Sequence, residues 1–157
     1  MTPAVRWLRA QGVEFPGHLY AYQERGGTAV SAAALGVDEH IVIKTLVMQD
    51  DTGAGLIVLM HGDREVGVRQ LARQLQRRAI EPCRPGPAER LTGYQVGGTS
   101  PFGPRTPLPV FAEASIEALP RLFINGGKRG YLLEMRGADL WRLLRPTPVA
   151  AAVAPSE

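Results

Sequence analysis

Two apolar runs, 41–48 and 56–60, stand out from the rest of the chain, and both are rich in β-branched and aliphatic residues. The stretch between them, 49–55, has the Asp, Thr and Gly of a turn, so the pair predicts a β-hairpin. Their near-continuous hydrophobicity predicts burial on both faces. A different period follows. Val68, Leu71, Ala72 and Leu75 recur at helical spacing and predict an amphipathic helix, with Arg69, Arg73 and Arg77 along another face. Upstream, Thr2 and Pro3 have the order of an N-cap and a first helical residue, with Val5 and Leu8 inward and a stop at Gly12. Residues 14–22, with Phe15, Tyr20 and Tyr22, read as a strand. After Gly26 and Gly27, Thr28 is placed to cap an alanine-rich helix that runs through Leu35 and stops at Gly36.

Downstream, the prolines and glycines of 82–87 predict a turn and 87–91 a short helix. Strands are expected at 108–111, 121–125 and 131–135, and a closing helix at 138–144. Residues 146–157 carry alanine, proline and valine without a period, and predict a frayed tail behind a domain of residues 1–145. Helices and strands alternate without clean βαβ units, which favours an α/β or α+β domain built on a mixed sheet.

A chain of 157 residues, 45% hydrophobic and 21% charged, suits one domain with a real core. No apolar run reaches the roughly 18 residues of a membrane helix, and the first residues lack a signal-peptide order, so no membrane is expected and the cytoplasm is the expected place. The single cysteine, Cys83, excludes an internal disulfide and a cysteine-rich zinc site, and His18, His40 and His61 are scattered. Neither a metal nor a cofactor is expected. The net charge is +3 and nearly all the cations are arginine, whose planar fork suits phosphate. So mild an excess also fits a merely solvated surface.

The candidate chemistry lies in two glycine loops and one lysine. Residues 93–103 read Gly-Tyr-Gln-Val-Gly-Gly-Thr-Ser-Pro-Phe-Gly, and 125–130 read Asn-Gly-Gly-Lys-Arg-Gly. Both suit work by the backbone, since glycine reaches positive φ and lets a ligand approach the main chain. Lys44 falls within the first apolar run, on the face of Val42, Leu46 and Met48. A cation there either snorkels to solvent at a sheet edge or lines a pocket facing a phosphate or carbonyl oxygen. Other reactive residues have weaker claims. Ser100 has no histidine or carboxylate near it in sequence, Cys83 reads as a strand-end residue, and His61 reads as a turn cap or a base. The glycine pairs fit neither GxGxxG nor GxxxxGK[ST], which argues against a nucleotide-cofactor enzyme.

Taken in order, Met1-Thr2-Pro3-Ala4, Lys44-Thr45-Leu46, Thr92-Gly93-Tyr94 through Gly97-Gly98-Thr99-Ser100-Pro101-Phe102-Gly103, and Gly126-Gly127-Lys128-Arg129-Gly130 resemble the YbaK/EbsC family. These are free-standing aminoacyl-tRNA deacylases related to the editing domain of bacterial prolyl-tRNA synthetase. The resemblance implies a single α/β (α+β) domain with a mixed, mostly antiparallel, barrel-like sheet flanked by helices. It implies removal of a mischarged amino acid from tRNA, typically tRNA(Pro), with no cofactor, no DNA partner and prolyl-tRNA synthetase as an associated protein. Carried over residue by residue, it implies catalytic roles for Lys44, Gly97, Gly98 and Gly127, the glycines as backbone donors to a developing oxyanion. Substrate contacts are implied for Tyr20, Thr45, Thr99, Ser100, Pro101, Asn125, Gly126, Lys128 and Arg129. The tRNA itself is expected on Arg69, Arg73, Arg77, Lys128 and Arg129.

The family lacks an obvious enzymic nucleophile, so attack falls to water or, for a cysteinyl substrate, to its own thiol. Two positions depart from the cysteine-specific pattern: Asn125 stands where those relatives have serine, and Leu132 where they have an acid. Cysteine leads as the substrate, with alanine, serine, threonine and 2-aminobutyrate open. A non-catalytic module that binds an aminoacyl or nucleotide ligand in the same pocket would need the same motifs.

Overall fold

The computed structural model describes residues 1–156. Helix α1, Pro3–Ala10, begins as its sequence dictates: the Thr2 hydroxyl accepts the Val5 N–H at 3.2 Å, and Ala4 and Leu8 face inward. Strand β1, Gly17–Leu19, is much shorter than the expected 14–22. Pro16 has no N–H to give the ladder, and after the Tyr20 N–H meets the Gly130 carbonyl at 2.9 Å the chain turns away. Helix α2, Gly27–Leu35, stops at Gly36 in the left-handed conformation, φ +69°. Thr28 does not cap it. Its hydroxyl instead donates to Glu39 Oε2 at 2.6 Å, and Gly26 takes the N-cap position.

A 3-10 turn at Glu39–Ile41 leads into β2, Val42–Asp50, and β3, Gly55–His61, the expected hairpin, with Lys44 opposite Met60 and Thr45 opposite Leu59. Asp50 closes it, accepting the N–H groups of Thr52 and Ala54 and pairing with Arg77. Strand β4, Glu65–Val66, precedes helix α3, Val68–Gln74, and β5, Ile80–Pro82. Helix α4 spans Pro85–Thr92, two residues ahead of its expected start. Strands β6, Val110–Glu113, β7, Leu122–Asn125, and β8, Tyr131–Met135, and helix α5, Gly137–Leu144, complete the expected set.

The segment expected to fray does not. Thr147–Val149 forms β9 on β6, and Ala152–Val153 forms β10 on β4. Val149 and Ala151 are buried with Leu71 and Phe111, and the Ala151 N–H reaches Glu113 Oε1 at 2.7 Å. Strands of two and three residues are too short to show a period, so composition misled here. Glu157, the end of that expected tail, lies outside the described residues.

The main sheet runs β1-β8-β7-β2-β3-β6-β9, with β5 joined to β2. It is mixed: β2 is antiparallel to β3 and β5, β7 to β8 and β1 to β8, whereas β2–β7, β3–β6 and β6–β9 are parallel. The pairing path has two ends, β1 and β9. Three apolar clusters flank it. The largest joins Ile43, Ile57 and Leu59 to α1 and α5, a second packs α3 on Leu56 and Val58, and a third packs α2 on Val42 and Phe123. This one α+β domain has an opening in its sheet. Along one edge of β2 the ladder to β7 ends at Ile43 and the ladder to β5 begins at Met48.

Candidate active site

The opening beside β2 is the mouth of a cleft of about 820 Å³, within the range of small-molecule sites. Lys44, Thr45 and Leu46 line it from β2, Tyr20 and Tyr22 from the segment after β1, and Glu65 from β4. Lys44 is therefore a cleft cation. Its Nζ donates to the Arg64 carbonyl, and burial draws its pKa below the ordinary 10.5 while the carboxylates of Glu65, Glu39 and Asp63 oppose that shift. The cation is thus kept short of a full counter-ion pair. Among the described residues, no salt bridge involves it. Tyr20 lies nearby with its phenol pKa raised, first by burial and then by Tyr22.

The two glycine loops meet across the cleft mouth. Gly97 has φ +89°, and a Cβ there would stand 2.5 Å from the Tyr22 hydroxyl; one on Gly98 would stand 2.7 Å from the Arg129 nitrogen. Glycine is thus required at both places, by conformation and closeness at the first and by closeness at the second. Asn125 ties the loops together: its Nδ2 donates to the Gly97 carbonyl at 3.3 Å, and its Oδ1 accepts the Gly127 N–H at 2.6 Å. Arg129 adds a bond from Nε to the Val96 carbonyl at 2.9 Å and lies 4.8 Å above the Tyr22 ring. Gly97, Thr99, Asn125 and Arg129 all line the cleft.

The remaining expected site residues are placed differently. Gly98 donates its N–H to the Gln95 carbonyl at 2.8 Å, and Gly126 to Tyr131 at 3.0 Å. With Gly127 held by Asn125, none of these three N–H groups is free to meet a ligand as the loops stand. The expectation of donors at Gly98 and Gly127 is corrected on that ground. Among the described residues, the Gly97 N–H has no partner. Ser100 and Pro101 are buried outside the cleft lining; Ser100 Oγ accepts the Phe102 N–H at 3.3 Å, and Phe102 stacks on Trp7. Lys128 also lies outside the lining, its ammonium 5.2 Å from the centre of the Tyr131 ring.

His61 is neither a turn cap nor a cleft base. It is buried, its Nδ1 donates to the His40 carbonyl at 2.8 Å, and its Nε2 therefore accepts the Ser115 hydroxyl at 2.7 Å. Cys83 does line the cleft, with its thiol pKa raised by burial and by Glu81. Of the arginine stripe, Arg77 is tied to buried Asp50, whereas Arg69 and Arg73 are exposed. The sequence reading missed Tyr22 and Glu65. Tyr22 carried a signal, because it shares a strand face with Tyr20; Glu65 carried none, since β4 is two residues long.

Residues 25–143 match the aminoacyl-tRNA editing domain family. The chain is 26% identical over 135 residues, 85% of its length and 82% of the relative's, to an Enterococcus faecalis protein named "Putative Cys-tRNA(Pro)/Cys-tRNA(Cys) deacylase EbsC". It is 29% identical over 97 residues to the proline–tRNA ligase of Caldicellulosiruptor bescii, covering 62% of this chain and 16% of the ligase. A solved structure titled "Crystal structure of a putative trans-editing enzyme for prolyl tRNA synthetase" superposes with a TM-score of 0.85 at 21% identity, covering 98% of this chain and 99% of that one. The family match embraces β2 and both glycine loops, and the chain belongs to the aminoacyl-tRNA editing domain family.

Proposed function

We propose that the protein is a trans-editing deacylase that removes a mischarged amino acid from tRNA, with Cys-tRNA(Pro) or a similar small aminoacyl ester on tRNA(Pro) as substrate. The observation that carries this reading is a cleft lined by a half-buried lysine, an open strand edge and parts of both glycine loops, with no histidine among the described residues of its lining. Among the described residues, that lining offers no serine–histidine or cysteine–histidine pair of the kind that activates an enzymic nucleophile. An aminoacyl ester needs none, because it is already activated and holding it beside its attacking group supplies much of the rate.

Lys44 orients the terminal adenosine or the ester carbonyl through its ammonium, and the Gly97 N–H is a glycine-loop donor left for the developing oxyanion. Thr99, Asn125 and Arg129 close the other wall. Water attacks the carbonyl carbon, the ester C–O bond breaks, and the ribose oxygen takes the proton. With a cysteinyl substrate its own sulfur attacks instead, and the product is a thiolactone. Prolyl-tRNA synthetase is the associated protein this reading favours.

The test is to incubate the protein with tRNA(Pro) charged with cysteine, alanine, serine, threonine or 2-aminobutyrate and to follow release of the amino acid. The protein should accelerate release of at least one, and Lys44→Ala should lower that rate by about 10²-fold or more. Release no faster than in buffer would leave a non-catalytic binding module as the better reading. Equal rates for wild type and Lys44→Ala would remove Lys44 from the mechanism.

A further inference from the structure

Along a β-strand, the N–H and C=O of one residue point to the same neighbour, and successive residues alternate between the two edges. On β2 the Asp50 N–H meets the Ala54 carbonyl at 3.0 Å, so the even-numbered residues address β3. The Val47 carbonyl accepts the Cys83 N–H at 3.0 Å, so the odd-numbered residues address the other edge. That edge is paired to β7 through Ile43 and to β5 from Met48, and Val47 is held by Cys83. Among the described residues, Thr45 is left with no ladder partner there, and it lines the cleft. Its side chain repeats the pattern: Thr45 Oγ1 is a buried side-chain oxygen with no hydrogen-bond partner. Buried polar groups are seldom orphaned, and one residue unpaired in both backbone and side chain calls for a ligand to complete it.

The missing partner has a definite shape. A residue that pairs with a strand edge offers an N–H donor and a C=O acceptor on either side of one carbon. An aminoacyl ester has that arrangement, with an ammonium, an α-carbon and an ester carbonyl in sequence. We infer that the aminoacyl group docks in the opening as a one-residue strand on Thr45, its ammonium donating to the Thr45 carbonyl and its ester carbonyl accepting the Thr45 N–H.

This rests on the deacylase reading and extends it in three ways. The strand edge gains a donor for the developing oxyanion, next in sequence to Lys44. Recognition of the α-ammonium separates aminoacyl esters from other acyl esters. In such a pair the two side chains share a face, so a small hydroxyl- or thiol-bearing substrate side chain lies beside Thr45 Oγ1.

The test has a binding arm and a kinetic arm. The ¹⁵N-labelled protein is titrated with 3′-aminoacylamino-3′-deoxyadenosine, a non-hydrolysable mimic, carrying cysteine or alanine. The Thr45 amide proton should move downfield, and should stay in place with adenosine alone. In parallel, threonine at position 45 is replaced by its α-hydroxy acid, which deletes the N–H and keeps the side chain. That replacement should lower kcat by about 10²-fold with little change in KM. Thr45→Val, which keeps the N–H, should cost at least about tenfold less. Binding of the mimic without movement of the Thr45 amide, or a backbone-ester protein within about threefold of wild type, overturns the docking and leaves the deacylase reading standing. Binding with the Thr45 shift but no turnover of any charged tRNA sustains the docking and sinks the deacylase. A mimic that does not bind overturns the docking.

Discussion

The two glycine loops and the edge of β2 face each other across one cleft, yet they treat their backbone in opposite ways. The loops are rich in glycine, and three of the glycine N–H groups that face one another there are already engaged: Gly98 by Gln95, Gly126 by Tyr131 and Gly127 by Asn125. The strand is rich in valine, isoleucine and leucine, which composition would assign to a core, and among the described residues it leaves Thr45 without a ladder partner on the edge that faces the cleft. Glycine there serves close approach, loop against loop. The opening for a ligand arises where two ladders fail to meet.

The sharpest way to break this contrast is to crowd the loops. In Gly98→Ala the new Cβ would lie 2.7 Å from the Arg129 nitrogen and 2.8 Å from the Lys128 carbonyl carbon, and backbone cannot swing aside as a side-chain tip can. The expected cost is about 1–3 kcal/mol, read as a Tm several degrees lower, with deacylation falling alongside. An unchanged Tm would mean the loops are not packed as described. Next in size is Asn125→Ala, which frees the Gly127 N–H while releasing the Gly97 carbonyl. Two lost hydrogen bonds at a part-buried site should cost about 1–2 kcal/mol, and kcat should fall as the wall loosens. A rise in kcat would show instead that the freed Gly127 N–H is a donor, and would restore the loops to the chemistry.

The smallest effect on the cleft, and a clean one on the strand, is expected at Asp50. Its carboxyl is held at about 2, down from 3.8, mainly by the Thr52 hydroxyl, with the Thr52 and Ala54 N–H groups and Arg77 assisting. A depressed carboxylate pKa contributes stability that is whole above about 3.8 and is lost as pH falls toward 2. Asp50→Asn should therefore lower Tm at neutral pH, and the difference from wild type should close between pH 4 and pH 2. A difference independent of pH would assign the loss to packing rather than to charge.

The hairpin, all five helices and the strands at 121–125 and 131–135 were legible, the hairpin from its two apolar runs and the helices from their spacing, caps and stops. Lys44 was legible from those runs too, since a lone cation in an apolar run stands out. The orphaned edge at Thr45 was not. It depends on where β7 stops and β5 starts, and β5 is three residues of Ile, Glu and Pro with no pattern to read. Ser100 and Pro101 looked available because they follow two glycines, but the Phe102 ring next to them is buried against Trp7 and draws the segment inward. Thr28 looked like a cap and became a tether, because its partner Glu39 lies eleven residues away in sequence and beside it in space.

The last strands carry a practical lesson about where to cut. The family match ends at residue 143, but β10 pairs with Val66 of the cleft lining, and Ser156 binds the Glu65 carboxylate through Oγ at 2.8 Å. A domain boundary drawn by sequence similarity would sever the hem of the very pocket it was meant to isolate. Whoever trims, fuses or tags this chain near its end is working within reach of the cleft.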